Sequence, residues 1–73
     1  MSAGVTGGKY TIELCRPGGF HSGIEGTIAS EDNLGVAREL CKYAVANNPD
    51  RVVLLCDRAR ILARSDRSET MPR

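Results

Sequence analysis

The feature that most constrains the fold is a short apolar run in the C-terminal half of the chain. Residues 52–56 read VVLLC and follow Pro49 after two polar positions. This run is far shorter than the roughly 20 apolar residues that a membrane-spanning helix needs. Its two leading valines, placed just after a proline, favour a buried strand over a helix. A single helix over residues 51–64 is the competing interpretation, and it would make the protein a helical hairpin.

A second apolar segment follows this strand closely. After a short polar stretch the chain reads ILA at residues 61–63, so we predict that it turns and returns as the second strand of a β-hairpin. The simplest register pairs Cys56 with Ile61 and Leu54 with Ala63 on one face of the hairpin.

The N-terminal half also contains strand patterns. Residues 9–15 alternate between apolar and polar side chains, as a half-buried strand does. The sequence RPGG at 16–19 ends this strand, because proline lacks a ladder donor and paired glycines permit positive φ. Residues 24–29 alternate more weakly, with Gly23 and Gly26 among them, and predict a short second strand paired with the first.

Between the two strand regions the apolar residues recur at helical spacing. Ser30 is the predicted N-cap, and Glu31 and Asp32 would place negative charge in the first turn, where the helix dipole favours it. The sequence NNP at 47–49 ends the predicted helix, because proline cannot continue the hydrogen-bond ladder. The buried stripe of this helix comprises Leu34, Ala37, Leu40, Cys41, Ala44 and Val45.

These elements predict an α+β fold, a small antiparallel sheet of three or four strands with one helix packed on one face. The order is β-(β)-α-β-β, in which the bracketed strand is the one with the weaker alternation, at residues 24–29. A chain of 73 residues is too short for two independent cores, so residues 1–73 are predicted to form a single domain. Within it, residues 1–8 are expected to be a flexible leader and residues 66–73 a polar tail.

One helix covers only one side of such a sheet, yet the predicted hairpin presents apolar residues to both sides. On the helix side we place Tyr10, Ile12, Leu14, Val52, Leu54, Cys56, Ile61 and Ala63. The other side then carries Val53, Leu55 and Leu62, among Thr11, Glu13, Arg60 and Arg64. An apolar surface with charged flanks is typical of a two-fold interface, so we predict self-association, with a dimer as the first expectation. The alternative is that scattered surface leucines need no explanation.

Composition excludes several classes of protein. Ten Lys and Arg against nine Asp and Glu give a formal charge of +1, far from the strongly basic balance of most nonspecific nucleic-acid binders. Three cysteines cannot all pair within one chain, which favours reduced thiols. The N-terminal residues show no secretory pattern. We therefore expect a cytoplasmic protein without a membrane partner.

The densest group of reactive side chains lies at residues 15–22. Cys15 falls on the polar side of the first strand beside Arg16, whose charge would favour the thiolate, and His21 follows across a glycine-rich loop. Cys15 and His21 are thus weak catalytic candidates, and Cys15 is expected to be the accessible thiol. No third orienting group accompanies them, so no catalytic residue is assigned and a non-catalytic protein is favoured.

Metal and cofactor sites are not predicted. Three cysteines and one histidine match a zinc set in number, but none of them form a close pair such as Cys-x-x-Cys. Cys41 and Cys56 read instead as buried apolar residues. The glycines at 18 and 19 lie in no Walker or dinucleotide pattern. We therefore predict no metal and no cofactor.

An excess of arginine marks the C-terminal hairpin. Arg58, Arg60, Arg64 and Arg67 are candidate nucleic-acid contacts, although charged edge strands that resist aggregation carry the same pattern. The leading hypothesis is a self-associating interaction or accessory module. The alternatives are a nucleic-acid-binding module that uses these arginines and a thiol-dependent enzyme or redox protein centred on Cys15.

Overall fold

The computed structural model describes residues 8–58 and 60–66 and contains one four-stranded sheet and one long helix in that part of the chain. The predicted leader and tail lie outside the described residues, apart from Gly8 and Asp66. The α+β fold is confirmed, and the helical hairpin is wrong. The elements are β1 (Tyr10–Cys15), a short 3-10 helix (Phe20–Ser22), β2 (Ile24–Glu31), α1 (Leu34–Asn47), β3 (Val53–Asp57) and β4 (Arg60–Arg64).

The four strands pair in the order β2-β1-β3-β4, and every neighbouring pair is antiparallel. Strand β1 is therefore central, between its hairpin partner β2 and the later strand β3. The weakly patterned second strand is real and longer than predicted, since its ladder with β1 extends to Glu31 opposite Tyr10. Two irregularities in that ladder leave Glu25 and Ile28 without a direct partner and bend the strand.

The helix begins later than the sequence predicts. Ser30 pairs with Thr11 in the sheet, so its assignment as the N-cap is wrong. Asn33 caps the helix instead, and its side-chain oxygen accepts a hydrogen bond from the backbone N–H of Val36 at 3.0 Å. At the other end the prediction is confirmed, because the helix stops at Asn47 and the Asn48 side chain donates to the carbonyl of Ala44 at 2.8 Å.

The two faces of β3 are the reverse of the prediction. Ile12 of β1 lies opposite Leu55 and Leu14 lies opposite Val53. Antiparallel partners share a face, so Val53 and Leu55 point towards the helix with the apolar side of β1. Their predicted place on the uncovered face is therefore wrong. The buried core on the helix side comprises Ile12, Ala37, Ala44, Val53, Leu55 and Ala63.

A β-bulge in the last hairpin accounts for the rest of the difference. Cys56 pairs with Ile61 as predicted, but Ala63 pairs with Leu55 and not with Leu54. Leu62 is the extra residue between these pairs, and its side chain packs against the core on the helix side. The prediction that Leu62 lies on the uncovered face is thus also wrong.

Candidate interaction surface

The sheet face opposite α1, here called the open face, has its own small apolar cluster. Cys15, Leu54 and Cys56 are buried on it although α1 packs on the opposite side of the sheet. Phe20 and Val52 pack against these three residues and shield them from solvent. The open face is therefore part core and part surface.

The loop between β1 and β2 places Phe20 over this cluster. Gly18 and Gly19 adopt φ values of 109° and 103°, which other residues rarely adopt, and this lets the chain fold back over the sheet. The loop is closed where the backbone N–H of Arg16 donates to the carbonyl of Gly23 at 2.9 Å. The glycine-rich loop thus holds Phe20 over the cluster, and we call this residue the lid.

Arg64 of β4 holds the lid from the other side. Its guanidinium carbon lies 4.0 Å from the centre of the Phe20 ring, in a cation–π contact. The same guanidinium donates to both carboxylate oxygens of Asp66, from Nε at 3.0 Å and from Nη2 at 2.8 Å. This bidentate pair fixes the plane of the guanidinium against the ring.

Beside the lid lies a shallow apolar hollow of about 430 Å³. Leu54 and Cys56 form its floor, and Ile24 and Ile61 stand at its sides with 49% and 40% of their surfaces exposed. Both isoleucines belong to the open face, because Ile24 pairs with Cys15 and Ile61 pairs with Cys56. Large aliphatic side chains around an apolar hollow favour contact with another apolar surface.

Charged and polar groups border the hollow. Glu13 and Arg58 line it, so its rim carries both signs of charge. The Glu13 carboxylate also accepts a hydrogen bond from the Thr27 hydroxyl at 2.7 Å, which fixes the position of its negative charge. An apolar centre with a polar rim is the usual organisation of a protein interface.

The residues predicted for self-association do not form this surface. Val53, Leu55 and Leu62 all belong to the core on the helix side. Sequence reasoning missed the residues that do form it, which are Phe20, Ile24, Leu54, Cys56 and Ile61. The alternation of β1, which places Ile12 and Cys15 on opposite faces, is the signal that the sequence offers. The register of β3 against Ile12 then decides which residues of β3 share the face of Cys15.

Cys15 and His21 lie in different surroundings. Cys15 is on the predicted face but fully buried, so the expectation of an accessible thiol is wrong. Burial raises the pKa of the Cys15 thiol, Asp66 and Glu13 raise it further, and the opposing effect comes from Arg64 and not from Arg16. His21 is exposed on the short 3-10 helix, with its ring edge-on to Phe20. No hydrogen bond joins this imidazole to the Cys15 thiol within the described ranges.

The other two thiols lie in apolar surroundings. Cys41 is half-buried on the helix side, whereas Cys56 is buried on the open face, where burial raises the pKa of its thiol to about 11. In residues 8–58 and 60–66, no three His, Cys, Asp or Glu side chains are grouped as a metal site would require. The sheet itself separates Cys41 from the other two cysteines.

The arginines of the last hairpin do not share one surface. Arg64 is engaged by Phe20 and Asp66 on the open face. Arg60 lies on the helix side opposite Asp57, with 3.9 Å between the charged groups, and Arg58 is at the turn. Arg67 lies outside the described residues. Nucleic-acid binding by these arginines stays a prediction from the sequence.

Two wider observations complete this description. None of the helical structure in the described part of the chain has the length and apolar character needed to cross a membrane. Comparison with protein-family models, with curated proteins and with solved structures finds no match.

Proposed function

We propose that this protein is a small, self-associating interaction module, and that two copies form a dimer through their open faces. The observation that carries the proposal is the exposure of Ile24 and Ile61 on either side of Leu54 and Cys56, on the sheet face that α1 does not cover. A second copy would remove these side chains from water. Because each isoleucine is already about half buried, covering the exposed remainder contributes about 0.7–1.5 kcal/mol per side chain to such an association.

The size of the chain supports the same proposal. A domain of this length buries only about 60% of the surface of its unfolded chain, so its stability is marginal without further burial. The core residues on the helix side include three alanines, Ala37, Ala44 and Ala63, which contribute little apolar area. Covering the open face would add the missing area.

The charges at the rim suit a two-fold contact. An isologous interface brings the same patch of both copies together, so a patch with both signs can be complementary to itself. Glu13 and Arg58 give the open face such a pair. Charges of this kind set orientation and specificity more than affinity.

The chemistry of the cysteines supports a non-catalytic role in a reducing compartment such as the cytoplasm. Cys15, Cys41 and Cys56 are free thiols, and burial raises the pKa of each. At neutral pH they are therefore protonated, which is the poorly nucleophilic form. An enzyme centred on Cys15 would need the opposite shift.

Sedimentation equilibrium tests the proposal. We expect the wild type to be dimeric at micromolar concentration and Ile61→Asp to be monomeric, because the substitution places a charge in the apolar contact. The matched control is Val36→Asp on α1, since Val36 is as exposed as the isoleucines, at 45%, but lies away from the open face. Circular dichroism establishes that both variants are folded.

Two results of that experiment would contradict the proposal. If the folded wild type stays monomeric at several hundred micromolar, the open face is not a dimer contact. If Val36→Asp dissociates the dimer and Ile61→Asp does not, the interface lies on α1 and not on the open face.

A further inference from the structure

A second concave surface lies on the opposite side of the sheet, between α1 and β4. The helix packs mainly on β1, β2 and β3, and it covers little of the edge strand β4. This leaves a groove of about 680 Å³, within the range of small-molecule sites. Leu55 and Ala63 line it from the sheet, and Cys41 and Val45 line it from the helix.

Arg38 gives this apolar groove a positive charge. Its side chain lines the groove, and its Nε atom is buried without a hydrogen-bond acceptor in the part of the chain that the structure describes. A buried donor without an acceptor is destabilising, and more so when it belongs to a charged group. An acceptor supplied from outside the chain, such as a bound anion, would satisfy this donor.

The other charges of the groove are already compensated. Lys42 pairs with Glu39 at 3.3 Å, and Arg64, which lines the far side, is bound to Asp66. Arg38 has no ion pair or hydrogen bond with any described residue. The groove therefore combines one uncompensated cation with an apolar floor.

We propose that this groove binds an acyl carboxylate, a small molecule with one apolar chain and one carboxylate head. The carboxylate accepts from the guanidinium of Arg38 and satisfies Nε, and the chain lies against Leu55, Ala63 and Val45. A planar guanidinium matches a carboxylate in a two-point contact.

An extended peptide added to the edge of β4 is the other occupant that such a groove suggests. The edge itself disfavours it, because the bulge at Leu62 interrupts the strand and Arg60 and Arg64 lie at its two ends. Bulges and charges are devices by which edge strands avoid pairing with another strand. A small molecule needs no strand edge. The groove also lies on the face opposite the proposed dimer contact, so the two proposals succeed or fail separately.

Calorimetric titration with sodium octanoate tests the proposal. We expect saturable binding, and we expect Arg38→Gln to weaken it about tenfold or more through the loss of charge-assisted hydrogen bonds. Arg16→Gln is the matched control, because Arg16 is exposed on the loop beside the open face, and it should change the affinity less than twofold. Octanol, which has the chain without the carboxylate, should bind at least about tenfold more weakly than octanoate.

Two further readouts separate binding from a structural role of Arg38. The melting temperature of ligand-free Arg38→Gln should equal or exceed that of the wild type, since the substitution removes an unsatisfied buried donor. Octanoate should also slow the alkylation of Cys41, which lines the groove, in the wild type but not in Arg38→Gln. Equal affinity for octanol and octanoate, or equal octanoate affinity of the wild type and Arg38→Gln, would overturn the proposal. So would a lower melting temperature of the variant combined with no protection of Cys41 in the wild type.

Discussion

The guanidinium of Arg64 stacks on the ring of Phe20 at 4.0 Å and so joins the last strand to the loop that follows the first. Neither residue belongs to the helix-side core; Phe20 packs against Cys15 and Leu54 on the open face, and Arg64 lies over its ring. The contact contributes about 0.5–1 kcal/mol beyond the burial of the ring. It also makes the lid dependent on a residue far away in the sequence.

Removing the lid should expose the first thiol. Phe20→Ala is expected to lower the free energy of unfolding by about 1–2 kcal/mol through lost apolar burial and to increase the alkylation rate of Cys15 at least about tenfold. Mass spectrometry of the modified peptides under native conditions measures the rate. Tyr43→Ala, a change in an exposed ring on α1, should leave it unchanged. Equal Cys15 rates in the wild type and Phe20→Ala would show that Phe20 does not protect the thiol.

Alkaline pH should destabilise the fold through Cys56. Burial raises the pKa of this thiol from 9.0 to about 11, so the folded state favours the neutral form. The resulting stability is fully present below pH 9 and is lost as pH rises from 9 to 11. Urea unfolding of the wild type should therefore show a fall of up to about 2 kcal/mol over that interval in excess of the fall in Cys56→Ala. Parallel pH profiles for the two proteins would contradict the assignment.

The start of the helix distinguishes two polar residues that look alike in the sequence. Asn33→Ala should cost about 1 kcal/mol of stability, because the hydrogen bond to the backbone N–H of Val36 is lost. Ser30→Ala should cost less than about 0.5 kcal/mol, since Ser30 lies in the sheet opposite Thr11 and caps nothing. Chemical denaturation measures both, and a larger loss for Ser30→Ala would restore it as the cap.

The turn of the last hairpin contains a strained residue. Arg58 has φ 57°, in the left-handed region that costs a residue with a Cβ about 1 kcal/mol. Arg58→Gly removes this cost and is expected to stabilise the monomer by about 0.5 kcal/mol in urea unfolding, after the entropy of glycine is counted. Arg16→Gly, at an exposed position whose φ lies outside the left-handed region, is the comparison and should not stabilise.

Much of the architecture is predictable from local patterns. The alternation of β1, the apolar stripe of α1 and the return at Ile61 each have a period or a break that is independent of the rest of the chain. The face of β3 is different, because VVLLC is apolar at every position and carries no alternation. Its orientation comes from the pairing of Ile12 with Leu55, and a shift by one residue reverses every side chain.

The candidate surface was harder to predict for the same reason. Because the two faces of β3 are the reverse of the prediction, Leu54 and Cys56 lie on the open face, and Val53 and Leu55 lie in the helix-side core. The bulge at Leu62 then moves that residue to the helix side as well. The lid depends on Phe20 and Arg64, whose contact is formed by the tertiary fold and has no local signal. The sequence thus predicts the correct strands but assigns the wrong residues to the second apolar face.

The isoleucine methyl groups report directly on the proposed pairing of the open face with a second copy. The chain has four isoleucines, of which Ile24 and Ile61 lie on the open face and Ile12 lies in the helix-side core. In a dilution series of methyl-labelled protein that spans the dissociation constant found by sedimentation equilibrium, we expect the NMR signals of Ile24 and Ile61 to shift or broaden with concentration while that of Ile12 stays constant. Signals that are all constant across this series, or a change confined to Ile28 on the bulged edge strand, would contradict the pairing of the open faces.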